Sequence, residues 1–180
     1  PPCPASMVHY WKLDETTGST YADTYGNLDA SCSDCPTPSA GQVDGAQDFD
    51  GNADRLDTSS ATNPTAQLTA MAWINPDDLS GTAIGDDEGI ISKEGAFILE
   101  LESNGDKLSF STYLGGAHRE CEPSGATVPE NGWSHVAATW NGDVSRVYID
   151  GVEVGSCNHP NGALDGPDNA YNIGFSVYNP

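Results

Sequence analysis

Oxygen-bearing side chains at alternating positions are the strongest chemical signal in this chain, and the chemistry they suit is coordination of a hard cation. Asp48, Asp50, Asn52, Asp54 and Asp57 cluster around Gly51. Asp14, Glu15, Asp23 and Asn27 form a second group, and Asp86, Asp87 and Glu88 a third. Calcium takes six to eight oxygens from carboxylates, Asn amides, backbone carbonyls and water, typically on loops. The Asp50 stretch lacks the Glu at the twelfth position that completes an EF-hand loop. A solvated acidic loop has the same composition, so spacing leaves both readings open.

Other chemistry is sparser. Cys32-Ser33-Asp34-Cys35 has redox-motif spacing without a βαβ context, and a four-thiolate zinc site would need a second such pair. A loop disulfide is the plainer reading. Cys121 and Cys157 are read as lying at strand ends in an antiparallel meander and are expected to pair, contributing about 3 to 4 kcal/mol in the chain-entropy model. Cys3 is then the odd one. Glu100 and Glu102 share a strand face roughly 7 Å apart, a spacing that superficially suits glycosidase carboxylates. A solvent-facing sheet edge explains them equally well. His9, His118, His135 and His159 have no zinc-triad spacing, and neither a Gly-x-Ser-x-Gly elbow, a phosphate loop nor a dinucleotide fingerprint occurs. Catalysis therefore has no visible support. Aromatic rings outside the predicted core can instead stack on pyranose faces; Tyr21, Tyr25 and Tyr113 are the open candidates, with Tyr178 and Trp11 behind them.

Charge narrows the partners. Against 27 acids stand 6 basic residues, a net charge of −21 with pI ≈ 4.1. Such a surface repels phosphate backbones and anionic lipids, so nucleic acid and membrane insertion are excluded as first readings, and divalent cations and neutral glycans are favoured. Abundant Asp with scarce Lys also suits concentrated salt. With 180 residues and 37% hydrophobic content the chain fits one domain. Pro1-Pro2-Cys3-Pro4 reads as the end of a linker covering residues 1–6, with a single domain over 7–180. Five Cys with few lysines point to an oxidising, extracellular setting.

The elements that must position these groups are strands. Period-2 apolar patterns recur about every ten residues between Gly, Asn, Asp and Pro. They predict strands at Met7 to Lys12, Ala46 to Asp50, Leu68 to Asn75, Gly89 to Lys93, Ala96 to Glu102, Lys107 to Tyr113, Ser134 to Asn141, Ser145 to Asp150, Val152 to Cys157 and Ala170 to Phe175. Asn104-Gly105, Asn141-Gly142-Asp143 and Asp150-Gly151 carry hairpin-turn chemistry. Residues 14–45 and 57–66 read as long surface loops. Phe97, Leu99 and Leu101 share one face, as do Met71 with Trp73 and Val136 with Ala138 and Trp140. Burying those sets requires two antiparallel sheets packed face to face, an all-β sandwich or jelly roll.

Read in order, the motifs resemble a known superfamily. They are His9-Tyr10-Trp11-Lys12-Leu13-Asp14-Glu15-Thr16-Thr17-Gly18, Ala22-Asp23, Gly26-Asn27, Val43-Asp44-Gly45-Ala46-Gln47-Asp48-Phe49-Asp50-Gly51, Leu68-Thr69-Ala70-Met71-Ala72-Trp73-Ile74, Ile90-Ile91-Ser92-Lys93, Lys107-Leu108-Ser109-Phe110, Trp133-Ser134-His135-Val136-Ala137-Ala138-Thr139-Trp140-Asn141-Gly142, Val147-Tyr148-Ile149-Asp150-Gly151 and Asn172-Ile173-Gly174. From about Met7 to Gly174 the chain is similar to laminin-G-like, concanavalin A-like lectin/glucanase domains of the bacterial secreted, pentraxin-related branch.

The resemblance implies a two-sheet antiparallel jelly roll, often with bound calcium, used as a carbohydrate-binding or adhesive module. With the acidic spacing it makes Asp23, Asn27, Asp50, Asn52 and Asp54 the expected calcium ligands. His135 is expected to be structural. The family's glucanases carry Glu-x-Asp-x-Glu or Glu-x-Asp-x-x-Glu, and Glu100-Leu101-Glu102-Ser103-Asn104 lacks the central Asp and the second Glu. The family's usual closing strand, Phe-x-Gly-x-Ile-Asp-Glu-Val-x-Ile-Tyr, does not follow Val177-Tyr178-Asn179-Pro180. The expected function is a noncatalytic, secreted, calcium-binding module that binds a glycan or an extracellular protein surface. The alternative is a fibre or surface-layer subunit in which a neighbouring copy donates the missing strand.

Overall fold

A computed structural model describes residues 6–61, 66–79, 88–102, 107–166 and 168–176. Cys3, Asp86, Asp87, the Glu88 side chain, the Asn104-Gly105 turn and residues 177–180, Tyr178 among them, lie outside the described residues, as does most of the expected linker. The described secondary structure is all strand: β1 (Thr20–Tyr21), β2 (Ala30–Ser31), β3 (Thr37–Ala40), β4 (Gly45–Asp48), β5 (Leu56–Thr58), β6 (Leu68–Ile74), β7 (Glu88–Lys93), β8 (Phe97–Leu101), β9 (Leu108–Leu114), β10 (Ala117–Cys121), β11 (Ser134–Trp140), β12 (Val144–Ile149), β13 (Val152–Asn158) and β14 (Tyr171–Ile173). Among the described residues no helix is long and apolar enough to cross a membrane.

The strands form an antiparallel sandwich. The larger sheet runs β1-β2-β5-β14-β7-β8-β9-β10, the smaller β13-β12-β11-β6, and β3-β4 make a separate ribbon. Period-2 alternation sets the core, as expected for a strand with one face buried. Val136, Ala138 and Trp140 of β11 face Phe97, Leu99, Leu101, Leu108 and Phe110 of the larger sheet in one cluster. A second cluster gathers Tyr21, Ala30, Leu56 and Ile173 beneath the N-terminal segment. At the β12–β13 turn Asp150 and Gly151 both take positive φ, the conformation that Asp-Gly was expected to supply.

Several expectations change. Residues 14–45 are not one loop: they carry β1, β2 and β3, whose short strands give no run long enough for alternation to register. Strand β10 also lies outside the expected set. Met7 to Lys12 pairs only at the single bridge Trp11–Asp23. Met71 and Trp73 do share a face, but it is the outward one, at 52% and 44% exposure; Ala70 and Ala72 face the core instead. Strand β8 is buried on both faces, and Glu100 belongs to this interior strand rather than to a solvent-facing edge. Its Oε2 accepts a hydrogen bond from Ser176 Oγ at 2.6 Å.

The segment after β14 turns across β7. Ser92 Oγ donates to the Phe175 carbonyl at 2.9 Å, and a Cβ on Gly89 would lie 2.0 Å from the Phe175 carbonyl carbon. Gly174 makes the turn with φ +76°, and a Cβ there would meet the Phe49 ring at 2.3 Å. Gly174→Ala is therefore expected to destabilise the domain by about 2 kcal/mol or more, from left-handed backbone strain and overpacking together. Urea unfolding measures it, and a loss below about 0.5 kcal/mol would show that Phe49 yields freely.

Candidate functional site

Three neighbouring strands of the larger sheet build a groove on its outer face. Asn172 of β14 lies between Asp57 of β5 and Ser92 of β7 in register. Alternation puts Arg55, Asp57, Ala170, Asn172 and Glu94 on that same side. Together with Asn169 and Phe175 they line a groove of about 400 Å³, a size typical of small-ligand sites. Its polar groups are held in place. Asn172 Nδ2 donates to Asp57 Oδ1 at 2.6 Å, Arg55 Nε pairs with Asp57 Oδ2 at 3.1 Å, and Asn169 Nδ2 donates to Glu94 Oε2 at 3.2 Å. The Arg55 guanidinium lies 5.1 Å from the centre of the Phe175 ring, which remains 40% exposed.

A buried lysine supports this groove from the opposite face of the sheet. Lys93 Nζ donates to the carbonyls of Ala61 (2.6 Å) and Asn169, and lies 4.8 Å from the Tyr171 ring centre. Burial lowers its pKa, while the charge of Asp168 acts the other way. Lys93→Met is expected to leave the Ala61 carbonyl without its donor, the Asn169 carbonyl keeping the Ala61 N–H at 3.1 Å, and to loosen the Asn169 loop, costing about 1 to 3 kcal/mol; thermal unfolding checks this, and an unchanged Tm would refute it.

The predicted metal residues fall in two different loops. Asp23 is the acceptor at the centre of the first. Its Oδ1 receives the N–H groups of Tyr10 (2.9 Å), Tyr25 (3.1 Å) and Gly26 (2.8 Å), and its Oδ2 receives Leu28 N–H (3.1 Å) and His9 Nδ1 (2.7 Å). Burial by itself would raise the Asp23 pKa, but these donors outweigh it and hold the carboxyl well below the usual carboxylate range. Both oxygens of this expected ligand are thus engaged by donors from the chain itself. Asn27 is exposed at the tip of the same loop with φ +89°.

The second loop keeps its predicted grouping. Asn52 donates to Asp50 from its backbone N–H (2.9 Å) and its amide (3.3 Å), and Asp54 Oδ2 accepts Asp50 N–H at 3.1 Å. The Asn52 donors hold the Asp50 carboxyl below its ordinary pKa. Each carboxylate retains lone pairs, so two carboxylates and an Asn amide, with loop carbonyls and water, fit a calcium ion at a solvent-facing loop. Among the described residues a different set, Glu102, Glu120 and Glu122, brings three carboxylates within 4.8 Å, and Lys107 Nζ pairs with Glu122 at 2.6 Å.

The predicted sugar platforms separate likewise. Tyr21 is 3% exposed and packs in the second core cluster, so its ring offers no stacking face. Tyr25 is 46% exposed beside Asp23. Tyr113 is half-buried against His118, ring centres 5.2 Å apart, at the β9–β10 side of the sheet. Nothing among the described contacts joins these three. The groove residues Arg55, Glu94, Asn169, Asn172 and Phe175 were not singled out from the sequence; a polar Asn between Tyr171 and Ile173 in a predicted strand was the available signal. Both expected disulfides, Cys32–Cys35 and Cys121–Cys157, are formed.

Comparison with known proteins places the fold. The family model of the concanavalin A-like lectin/glucanases superfamily, laminin G type, matches residues 50–179. No curated protein matches the sequence. The binding domain of Paraclostridial Mosquitocidal Protein 1 superposes with TM-score 0.63 at 14% identity, over 91% of this chain and 49% of that one. Domain 4 of AbnA, a GH43 extracellular arabinanase from Geobacillus stearothermophilus in complex with arabinotriose, gives 0.60 at 17% identity, over 81% and 68%. Mouse laminin alpha1 chain domains LG4-5 give 0.52 at 16%, over 69% and 33%. The chain thus spans about half of the mosquitocidal binding domain and a third of the laminin pair. At these identities the likeness establishes the fold. With a match over most of its length and two antiparallel sheets packed face to face, the chain belongs to the concanavalin A-like lectin/glucanase superfamily.

Proposed function

We propose that the chain is a noncatalytic glycan-binding module of an extracellular protein, and that the sugar docks in the outer-face groove around Asp57, Asn172 and Phe175. The groove carries this reading. Two carboxylates, two amides and a guanidinium suit the mixed donors and acceptors of sugar hydroxyls, and Phe175 offers a ring for the C–H face. The AbnA domain's complex with arabinotriose supports a carbohydrate role for the fold, and two disulfides suit an oxidising compartment. Calcium belongs to the same proposal. Bound by Asp50, Asn52 and Asp54, it would order the loop that leads directly into Arg55 and Asp57.

Glycan-array screening of the calcium-loaded domain tests the reading, followed by titration of the best sugar into Asn172→Ala and Phe175→Ala. Each substitution is expected to weaken binding about tenfold, equivalent to about 1.4 kcal/mol, with Tm nearly unchanged. Full affinity in both variants would exclude the groove. Calcium titrated into chelator-treated protein should saturate, and the Asp50→Asn/Asp54→Asn variant should abolish the heat. Light scattering on the same samples tests the fibre alternative: concentration-dependent assembly without glycan binding would favour it.

A further inference from the structure

Away from the groove, the outer face of the larger sheet gathers charge at its β8-β9-β10 end. Leu101, Leu108, Phe110 and Cys121 belong to the core cluster, so alternation turns Glu102, Ser109, Ser111, Glu120 and Glu122 to the opposite side. One carboxylate oxygen from each of Glu102, Glu120 and Glu122 lies within 4.8 Å of the others, and Lys107 Nζ pairs with Glu122 at 2.6 Å. Three carboxylates thus face one ammonium, and the set keeps a net negative charge at neutral pH.

Strand β9 runs between β8 and β10, so carboxylates that reach one another from both flanking strands must meet above it. The floor at that point is two serines. Ser109 pairs in register with Glu100 of β8, Ser111 with Glu120 of β10, and the Phe110–Cys121 pair between them puts Ser109 beside Glu122. Both serines are 0% exposed, and neither Oγ has a hydrogen-bond partner. A buried hydroxyl ordinarily finds a partner. Hydroxyls set beneath three carboxylates without bonding any of them mark a ligand position between the two layers.

We propose that Glu102, Glu120 and Glu122 hold a calcium ion above Ser109, at a site separate from both the groove and the Asp50 loop. Three carboxylates, each binding through one oxygen or two, supply half or more of the shell that calcium takes, and the Ser109 hydroxyl and water complete it. Size selects calcium over magnesium. Calcium–oxygen distances of about 2.3 to 2.6 Å let one ion bridge oxygens about 4.6 to 5.2 Å apart, whereas magnesium, at about 2.0 to 2.1 Å, spans only about 4.2 Å. The ion offsets the net charge of the set and clamps β10, an edge strand, to β8 across β9. Because it must displace the Lys107 ammonium from Glu122, the site fills in the millimolar range typical of extracellular modules, after the Asp50 loop.

The full chain carrying Asp50→Asn/Asp54→Asn isolates this site from the loop. In that background, calcium at about five times its Kd should raise the Tm by about 2 to 4 °C over sodium chloride of equal ionic strength, and magnesium should raise it by less. Adding Glu120→Gln/Glu122→Gln, two exposed positions, should erase the calcium increment. Crystals of the parent chain soaked in calcium should show anomalous density within about 2.6 Å of oxygens from Glu102, Glu120 and Glu122. No density there at saturating calcium, or an undiminished calcium response after the two glutamine substitutions, would overturn the proposal. Should the combined variant fail to fold, the parent crystal decides.

Discussion

Asp23→Asn is expected to cost about 3 to 5 kcal/mol, the range found when one partner of a buried charged network is removed. The carboxylate side chain is fully buried and collects four backbone N–H groups and a histidine nitrogen, tying residues 9–10 to residues 25–28. An Asn amide accepts through one oxygen only and turns its own N–H₂ against donors. For a chain of this length the loss corresponds to a Tm drop of roughly 10 °C. The pH dependence has a defined sign. Because the folded-state pKa lies below the unfolded value of about 3.9, the contribution is complete above that value and is lost as pH falls through the folded one. Unfolding followed from pH 7 to pH 2 should therefore show a steep acid limb in the parent and a shallower one in Asp23→Asn. Parallel curves would mean that the carboxylate is equally stabilised in the unfolded chain.

Removing the Cys121–Cys157 bridge by paired Ser substitution is expected to cost about 4 kcal/mol, against about 1.5 kcal/mol for Cys32–Cys35. The difference follows from loop length, a separation of 36 against 3, since the longer loop removes more entropy from the unfolded chain. The long bridge also joins an edge strand of the larger sheet, β10, to an edge strand of the smaller, β13. Equilibrium urea unfolding of both double variants compares them directly. Equal losses, or a larger one for the short loop, would contradict the entropic account and point to strain or residual structure.

The long strands were legible before the structure because their signals are local. Ser134–Trp140 alternates over seven residues, Leu68–Ile74 and Phe97–Leu101 are apolar runs of strand length, and the Asp150-Gly151 turn announces its own geometry. Short strands such as Thr20–Tyr21 and Ala30–Ser31 carry no such run; they exist because Tyr21, Ala30 and Leu56 share a small core. Polarity misled where composition was read as solvation. Asp23, expected in a surface loop, is a buried hub for donors, which only the folding back of residues 9–10 onto that loop produces.

Composition, alternation and motif order were enough to give an acidic, all-β, disulfide-bearing lectin-like domain, because charge, period and turn chemistry act over a few neighbouring residues. The pairing of Cys121 with Cys157 was also expected and is formed, although only Cys157 ended a predicted strand; β10, which Cys121 closes, was not among them. The groove was not readable. Asp57 and Asn172 lie 115 residues apart and meet only because β14 inserts between β5 and β7. The same holds for Lys93 and Ala61, 32 residues apart and joined by a side-chain hydrogen bond inside the sandwich. Strand order and sheet-on-sheet packing are properties of the whole chain's burial, and no local pattern encodes which polar residues they leave side by side.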